Sequence, residues 1–233
     1  MPVNSEKKSP GGDPATQGRN LSLHDDQAGG EYFVQILMNE SVLNRDSLRK
    51  LAQLQQSQPP DERRAIGRLA VDEGYLDESR FLALLDNNCR RLHLGELLVL
   101  RGLLKLIDLE HAIQEQRDGG GMLGEVLLRM ELLTPSELAE GLAEQSGVAY
   151  VPIANIPPHE DLARWVNPGF AARNGVVPVG RQGRNLIVAV WQPRALAIAG
   201  DLEQATGLNV QVILTTRAEV ENRILALYSP TCG

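Results

Sequence analysis

Gly119, Gly121 and Gly124 satisfy G-x-G-x-x-G, a spacing that in a dinucleotide-binding fold lets the backbone approach a pyrophosphate at a helix N-terminus. That chemistry needs a strand ahead of the glycines. Here Gln114-Glu115-Gln116 continue a helical pattern, so the run reads as a linker. Cys89 and His93 are four apart and could share one helix face, but two ligands do not make a zinc site. His24, His111 and His159 stand in separate segments, and neither a G-x-S-x-G elbow nor a G-x-x-x-x-G-K-[ST] phosphate loop occurs. The sequence assigns no catalytic residue and no metal ligand, and the expectation is a chain that is not an enzyme.

What the chain does carry is a duplication. Residues 93 to 116, HLGELLVLRGLLKLIDLEHAIQEQ, align without a gap with residues 122 to 145, MLGEVLLRMELLTPSELAEGLAEQ. Leu94-Gly95-Glu96 matches Leu123-Gly124-Glu125, Leu98 matches Leu127, and Leu109, Ile113 and Gln116 match Leu138, Leu142 and Gln145. Two such units, joined by the five residues Arg117 to Gly121, can pack side by side and offer equivalent surfaces to a ligand or partner. Recognition is the better expectation.

Each unit reads as a helical hairpin. A short helix closes near Gly102, where a residue free to adopt positive φ can turn the chain, and a second helix follows. Leu109, Ile113 and Gln116 lie on one stripe of that second helix. The pattern extends backwards with lower fidelity, through residues 66 to 88 with Gly74 and the N-cap Asp77, and residues 33 to 55 with the N-cap Asn44. Thr134, Pro135 and Glu137 form a capping box in the fourth copy. Four hairpins follow. Ser41 and Glu131 replace the turn glycine and Lys105 stands where a cap would be, so these copies are expected to turn less sharply or fray.

After Gly147 the period changes. Val148 to Ile153, Val176 to Gly180, Leu186 to Trp191 and Asn209 to Leu214 read as four strands, with a polar hairpin loop at Arg181 to Asn185. Helical segments are expected around Glu160 to Val166, Arg194 to Thr206 and Arg217 to Tyr228, the last opened by a capping box from Thr216 to Glu219. The fold class is α+β: tandem helical hairpins, then a small subdomain with a short sheet of about four strands. The expected divisions are a disordered tail over 1–30, degenerate hairpins over 31–90, the tandem repeats over 91–147 and the α+β subdomain over 148–229.

The 233 residues carry a net charge of −7 and only 4% aromatic residues, which works against nonspecific attraction to nucleic acid or anionic membrane and leaves few stacking platforms for bases. Leu133 to Ala139 looks like the first helix of a helix-turn-helix, yet residues 93 to 145 hold four Lys/Arg against ten Asp/Glu, the wrong sign for DNA. Cys89 and Cys232 make no disulfide framework, and no apolar run approaches the roughly 20 residues that span a bilayer. Expected is a cytoplasmic protein that neither binds nucleic acid nor inserts in a membrane.

The paired units resemble the tandem motif R-L-G-x-x-L-x-x-x-G-x-x-x-x-x-x-L-x-x-x-L-x-x-Q of MshEN domains, the N-terminal domains of type II secretion and type IV pilus assembly ATPases. The five-residue spacer agrees. So do Val176-Val177-Pro178-Val179, Leu186 to Val190 ahead of Pro193, Thr206-Gly207 and Tyr228, which look like the α+β half of that domain, so the resemblance covers 93 to 228. In the members that bind cyclic di-GMP, each motif takes one half of the two-fold symmetric dinucleotide. The resemblance implies that His93, Leu94, Gly95, Leu98 and Gln116 serve one half, and Met122, Leu123, Gly124, Leu127 and Gln145 the other. Glycine permits close backbone approach, and a helix N-terminus offers N–H groups to phosphate.

The motif's leading arginines are His93 and Met122 here, and Arg90 or Arg91 stands near enough in sequence to serve the first half. Two lost charge-assisted contacts of about 1.5–3 kcal/mol each weaken a site by about two to four decades. The resemblance implies a noncatalytic regulatory or adaptor module of a secretion or pilus system, with no cofactor and with cyclic di-GMP as candidate ligand. It implies as partner a secretion or pilus assembly protein, either a platform component or a separate motor ATPase, since the family's motor has no counterpart in these residues. The alternative is a protein-only adaptor docking on such a component through the same hairpins. Gly95→Glu or Gly124→Glu is expected to abolish ligand binding while leaving the fold intact.

Overall fold

The structure is a computed structural model that describes residues 31–228; the expected tail, 1–30, lies outside them. Four helical hairpins come first: α1 (Glu31–Asn39) with α2 (Arg45–Ser57), α3 (Ile66–Asp72) with α4 (Glu78–Asn88), α5 (Leu94–Leu100) with α6 (Leu106–Gly119), and α7 (Leu123–Arg129) with α8 (Pro135–Ser146). All four close in the same way. Val42, Tyr75, Leu103 and Leu132 donate their N–H groups to the carbonyls of Leu37, Ala70, Leu98 and Leu127 at 2.9–3.0 Å, and the residue before each donor bonds three positions back. This is the Schellman arrangement, which requires a left-handed residue just past the helix.

Gly74 and Gly102 supply that residue at φ +73° and +77°, while Ser41 and Glu131 adopt it at φ +56°. The expectation that these two copies turn less sharply is corrected: the turn is kept, and a side chain is held where its Cβ crowds the next carbonyl. The second helices start as expected. Asn44 accepts from Ser47 N–H at 2.8 Å, Asp77 accepts from Arg80 N–H at 2.8 Å, and Thr134 and Glu137 cap each other reciprocally. Lys105 makes no side-chain cap.

One apolar cluster runs from Phe33 to Leu138 through all four hairpins, with Phe33, Leu37, Phe81, Leu97, Leu98 and Leu127 among its fully buried members. Its axis is α5, where every residue from Gly95 to Leu100 is buried. Glu96 on that helix is 3% exposed and accepts from Phe33 N–H at 2.7 Å. A first-turn donor of α1 is thereby satisfied from 63 residues away, which seats the first hairpin on the third.

The sheet has three strands, β1 (Val176–Gln182), β2 (Asn185–Val190) and β3 (Asn209–Leu214), in the order β1-β2-β3. β1 and β2 are antiparallel, with Gln182 opposite Asn185 across a turn opened by Gly183; β2 and β3 are parallel and joined through α10 (Ala199–Thr206). Leu186, Val188 and Val190 face a cluster with α10 and α9 (Pro168–Asn174), while Ala189 faces Ile153 and Val220 of α11 (Arg217–Tyr228). β2 is therefore apolar on both faces.

The expected fourth strand, Val148 to Ile153, makes a single bridge, Tyr150 opposite Leu214. Beyond Val151 the chain leaves the sheet. Pro152 has no N–H to give, Ala154 N–H goes to Glu219, and Arg223, only 6% exposed, donates to the carbonyls of Ile153 and Ile156. Burial acts to raise the Glu219 carboxyl, but hydrogen bonds from Thr215, Thr216 and Ala154 outweigh it and hold it below the usual range. The expected helix over 194–206 begins as a 3-10 turn at Pro193–Ile198, and α9 was not expected at all, although Asn167 caps it and Pro168 opens it.

Replacing Glu131 by glycine is expected to raise stability by about 1 kcal/mol in thermal denaturation, and Gly102→Ala to lower it by a similar amount, because the turn geometry is common to both. Burial pushes the Tyr228 hydroxyl up to about 12, and it donates to Val166 O at 2.8 Å. The folded state thus holds this proton more tightly than the unfolded chain, so its contribution is intact below about pH 10 and is lost as pH rises toward about 12. Urea titrations are expected to show a shallower alkaline loss in Tyr228→Phe.

Candidate functional site

The third and fourth hairpins are closed on each other by their terminal glutamines. Gln116 at the end of α6 donates Nε2 to Gly121 O at 3.0 Å, one residue before the second motif. Gln145 at the end of α8 donates Nε2 to Leu92 O at 2.8 Å, one residue before the first. Each motif's last residue thus holds the entry to the other. Helix packing repeats the exchange, since α6 lies against α7 and α5 against α8. The bonds and the helix pairings are thus exchanged between the two hairpins.

The ion pairs follow this relation only at the glutamates, since Arg101 aligns with Met130 and Arg129 with Leu100. Glu115 and Glu144 are equivalent positions; Glu144 is clamped by Arg101 at the end of α5, and Glu115 pairs with Arg129 at the end of α7 at 3.2 Å. Arg101 also grips Asp86 of α4, which ties a third element to the pair. Burial acts to lower the Arg101 pKa, and the two carboxylates more than reverse it.

The ten expected site residues divide by burial. Leu98 and Leu127 are fully buried, Leu123 is buried, and Gly95 is covered, so these four are scaffold in the structure. A Cβ on Gly95 would meet Leu109 at 2.5 Å and Leu123 at 3.3 Å; one on Gly124 would meet Leu138 at 3.1 Å. The glycines therefore admit the equivalent leucine of their own hairpin's second helix. Surface remains on His93 and Met122, which stand at the N-termini of α5 and α7, and on Leu94, Gly124, Gln116 and Gln145, which are half-buried. Met122 is 38% exposed.

Arg90 does not point to the first motif as a free cation: its Nη2 donates to Gly147 O at 3.2 Å and its guanidinium covers that glycine. Arg91 is exposed. The G-x-G-x-x-G run spans the last residue of α6, the loop and the first turn of α7, with no strand before it. Among the described residues no group of three or more His, Cys, Asp or Glu is placed to hold a metal. Cys89 donates Sγ to Asp86 O at 3.3 Å.

One role went unread in the sequence. Gln55 at the end of α2 donates Nε2 to Arg64 O at 2.7 Å, just before Ala65 at the start of the second hairpin, as Gln116 and Gln145 do for theirs. The signal was its place at the last position of the first repeat. The fourth equivalent, Asn88, is too short and bonds Leu84 O in its own helix at 2.8 Å.

Residues 146–231 match the model of the MshEN domain family. That match falls on the α+β half and begins where the duplicated motifs end. Over 136 residues the chain is 30% identical to the type IV pilus assembly ATPase PilB of Myxococcus xanthus, an alignment covering 58% of this chain and 24% of that protein. Over 105 residues it is 37% identical to the type IV pilus assembly ATPase PilB of Thermus thermophilus, covering 44% of this chain and 12% of that one. The chain thus spans a quarter or less of the length of these relatives. A solved structure of MshE with cdg aligns at a TM-score of 0.53 with 23% identity, over 59% of this chain and 100% of that one, and establishes the shared fold. Residues 146–231 are thus similar to the MshEN domain, and both PilB relatives are type IV pilus assembly ATPases.

The burial of Gly95 corrects the expectation that glutamate there would leave the fold intact, because the space is filled by Leu109. Gly95→Ala is expected to cost about 1–3 kcal/mol by overpacking, while Gly124→Ala stays within about 1 kcal/mol, its neighbour being 0.6 Å farther from the added atom. Denaturant midpoints of the two variants check the order.

Proposed function

We propose that this chain is a noncatalytic regulatory module of a type II secretion or type IV pilus system, working in the cytoplasm, whose third and fourth hairpins recognise cyclic di-GMP. The observation that carries this reading is the reciprocal closure by Gln116 and Gln145, which gives the two motifs an exchanged relation suited to a two-fold symmetric dinucleotide. The N-termini of α5 and α7 are the places at which backbone N–H groups can meet its phosphates. MshE, which shares the fold, has been solved with cdg, which we take to be cyclic di-GMP. With His93 and Met122 in place of arginine, the affinity is about two to four decades below that of a site holding both guanidiniums.

A second reading is a protein-only adaptor that docks on a platform component or a separate motor ATPase. The exposed residue Met122 favours it, as do the two glutamine amides already committed to backbone carbonyls. Calorimetric titration separates the two. Measurable heat at high micromolar cyclic di-GMP is expected, with affinity rising by about two to four decades in His93→Arg/Met122→Arg. No heat in either protein removes the nucleotide and leaves the adaptor, which pull-down of the platform or motor protein without nucleotide would then test.

A further inference from the structure

Away from the motif N-termini, the turn of the fourth hairpin holds an open groove lined by Leu128, Glu131, Leu132, Leu133, Pro135 and Glu137. Leu128 and Leu132 are half-buried and Pro135 is exposed, so the floor is apolar yet reachable. Two glutamates stand on its rim. Glu137 stays ionised at neutral pH, because the backbone and hydroxyl of Thr134 donate to it and hold its carboxyl below the usual range. Glu131 occupies the left-handed turn position at φ +56°, which the second and third hairpins give to Gly74 and Gly102. Ser41 takes the same conformation in the first hairpin, so it is the place of the Glu131 side chain beside the groove that matters.

We propose that this groove docks a cationic amphipathic helix of a partner protein. From residue 125 to residue 140 the chain holds one arginine against four glutamates, and that arginine, Arg129, is paired with Glu115. Acidic partners, nucleic acid and anionic lipid are all repelled by this edge. Leu128, Leu132 and Pro135 form a short apolar strip, matched by a helix carrying apolar residues at i, i+4 and i+7 with lysines or arginines beside them, whose charges meet Glu131 and Glu137.

The test titrates the full chain, without nucleotide, with a fluorescent two-turn-or-longer helical peptide bearing leucines at that spacing and flanking lysines. A scrambled peptide of equal charge and a lysine-to-glutamate peptide run alongside. Saturable binding is expected, weakened about tenfold by Glu131→Lys and by scrambling, and abolished by the acidic peptide. Glu131→Gly, which relieves the turn and folds at least as well, is expected to weaken it about threefold. No saturable binding, equal binding of the scrambled peptide, or binding unchanged in both Glu131 variants would overturn the proposal. Because no nucleotide is present, each of those results leaves the cyclic di-GMP reading standing.

Discussion

Two side-chain amides set the geometry of the duplicated unit. Gln116 and Gln145 each reach from the end of a hairpin to the backbone just before the other hairpin's first helix, and so fix both helix entries in one relation. A single hydrogen bond of this kind contributes about 1 kcal/mol, less for the exposed Gln116 bond than for the partly buried Gln145 bond. Its larger effect is positional, because the carbonyl it holds is next to the residue that opens α5 or α7. The exchange of helix partners, α6 with α7 and α5 with α8, follows from the same closure. Gln55 makes one such bond in the first pair of hairpins and Asn88 does not, so the reciprocal form belongs to the third and fourth hairpins.

Close packing does the rest. Gly95 and Gly124 let Leu109 and Leu138 approach the short helices, and the leucines at the sixth motif position, Leu98 and Leu127, fill the shared core. Those residue types are required by the hairpin whether or not anything binds. What is free to vary is the outer edge, where His93, Met122 and the half-buried glutamines lie, and the turn tip with Glu131. Packed and exposed positions thereby separate within one 24-residue unit. Below it, α8 carries the hairpins onto the α+β half through Ala139 and Ala143 against Leu214, and Arg90 closes over Gly147 at that junction.

Much of this was legible in the residues. The four hairpins announced themselves through recurring caps and turn residues, since Asn44, Asp77 and Thr134 can satisfy first-turn donors in few other ways. The sharp turns at Ser41 and Glu131 were not legible, because local preference favours glycine there and only the packing of two helices on one core outweighs it. Val148 to Ile153 has strand composition, but its pairing is cut short by Pro152 and by a buried arginine 70 residues on, which no local pattern reveals. A glycine also reads alike whether a leucine or a ligand comes close to it, so the burial of Gly95 needed coordinates. The glutamines were visible as a repeat, and their backbone partners were not.

The central claim is that a doubled hairpin recognises a doubled ligand as a unit, and side-chain amide NMR tests it most directly. With the amide resonances of Gln116 and Gln145 assigned, cyclic di-GMP is expected to shift both along one saturation curve, with GMP at equal guanine concentration far less effective. Movement of one amide alone, or of neither while the rest of the spectrum is unchanged, would contradict it.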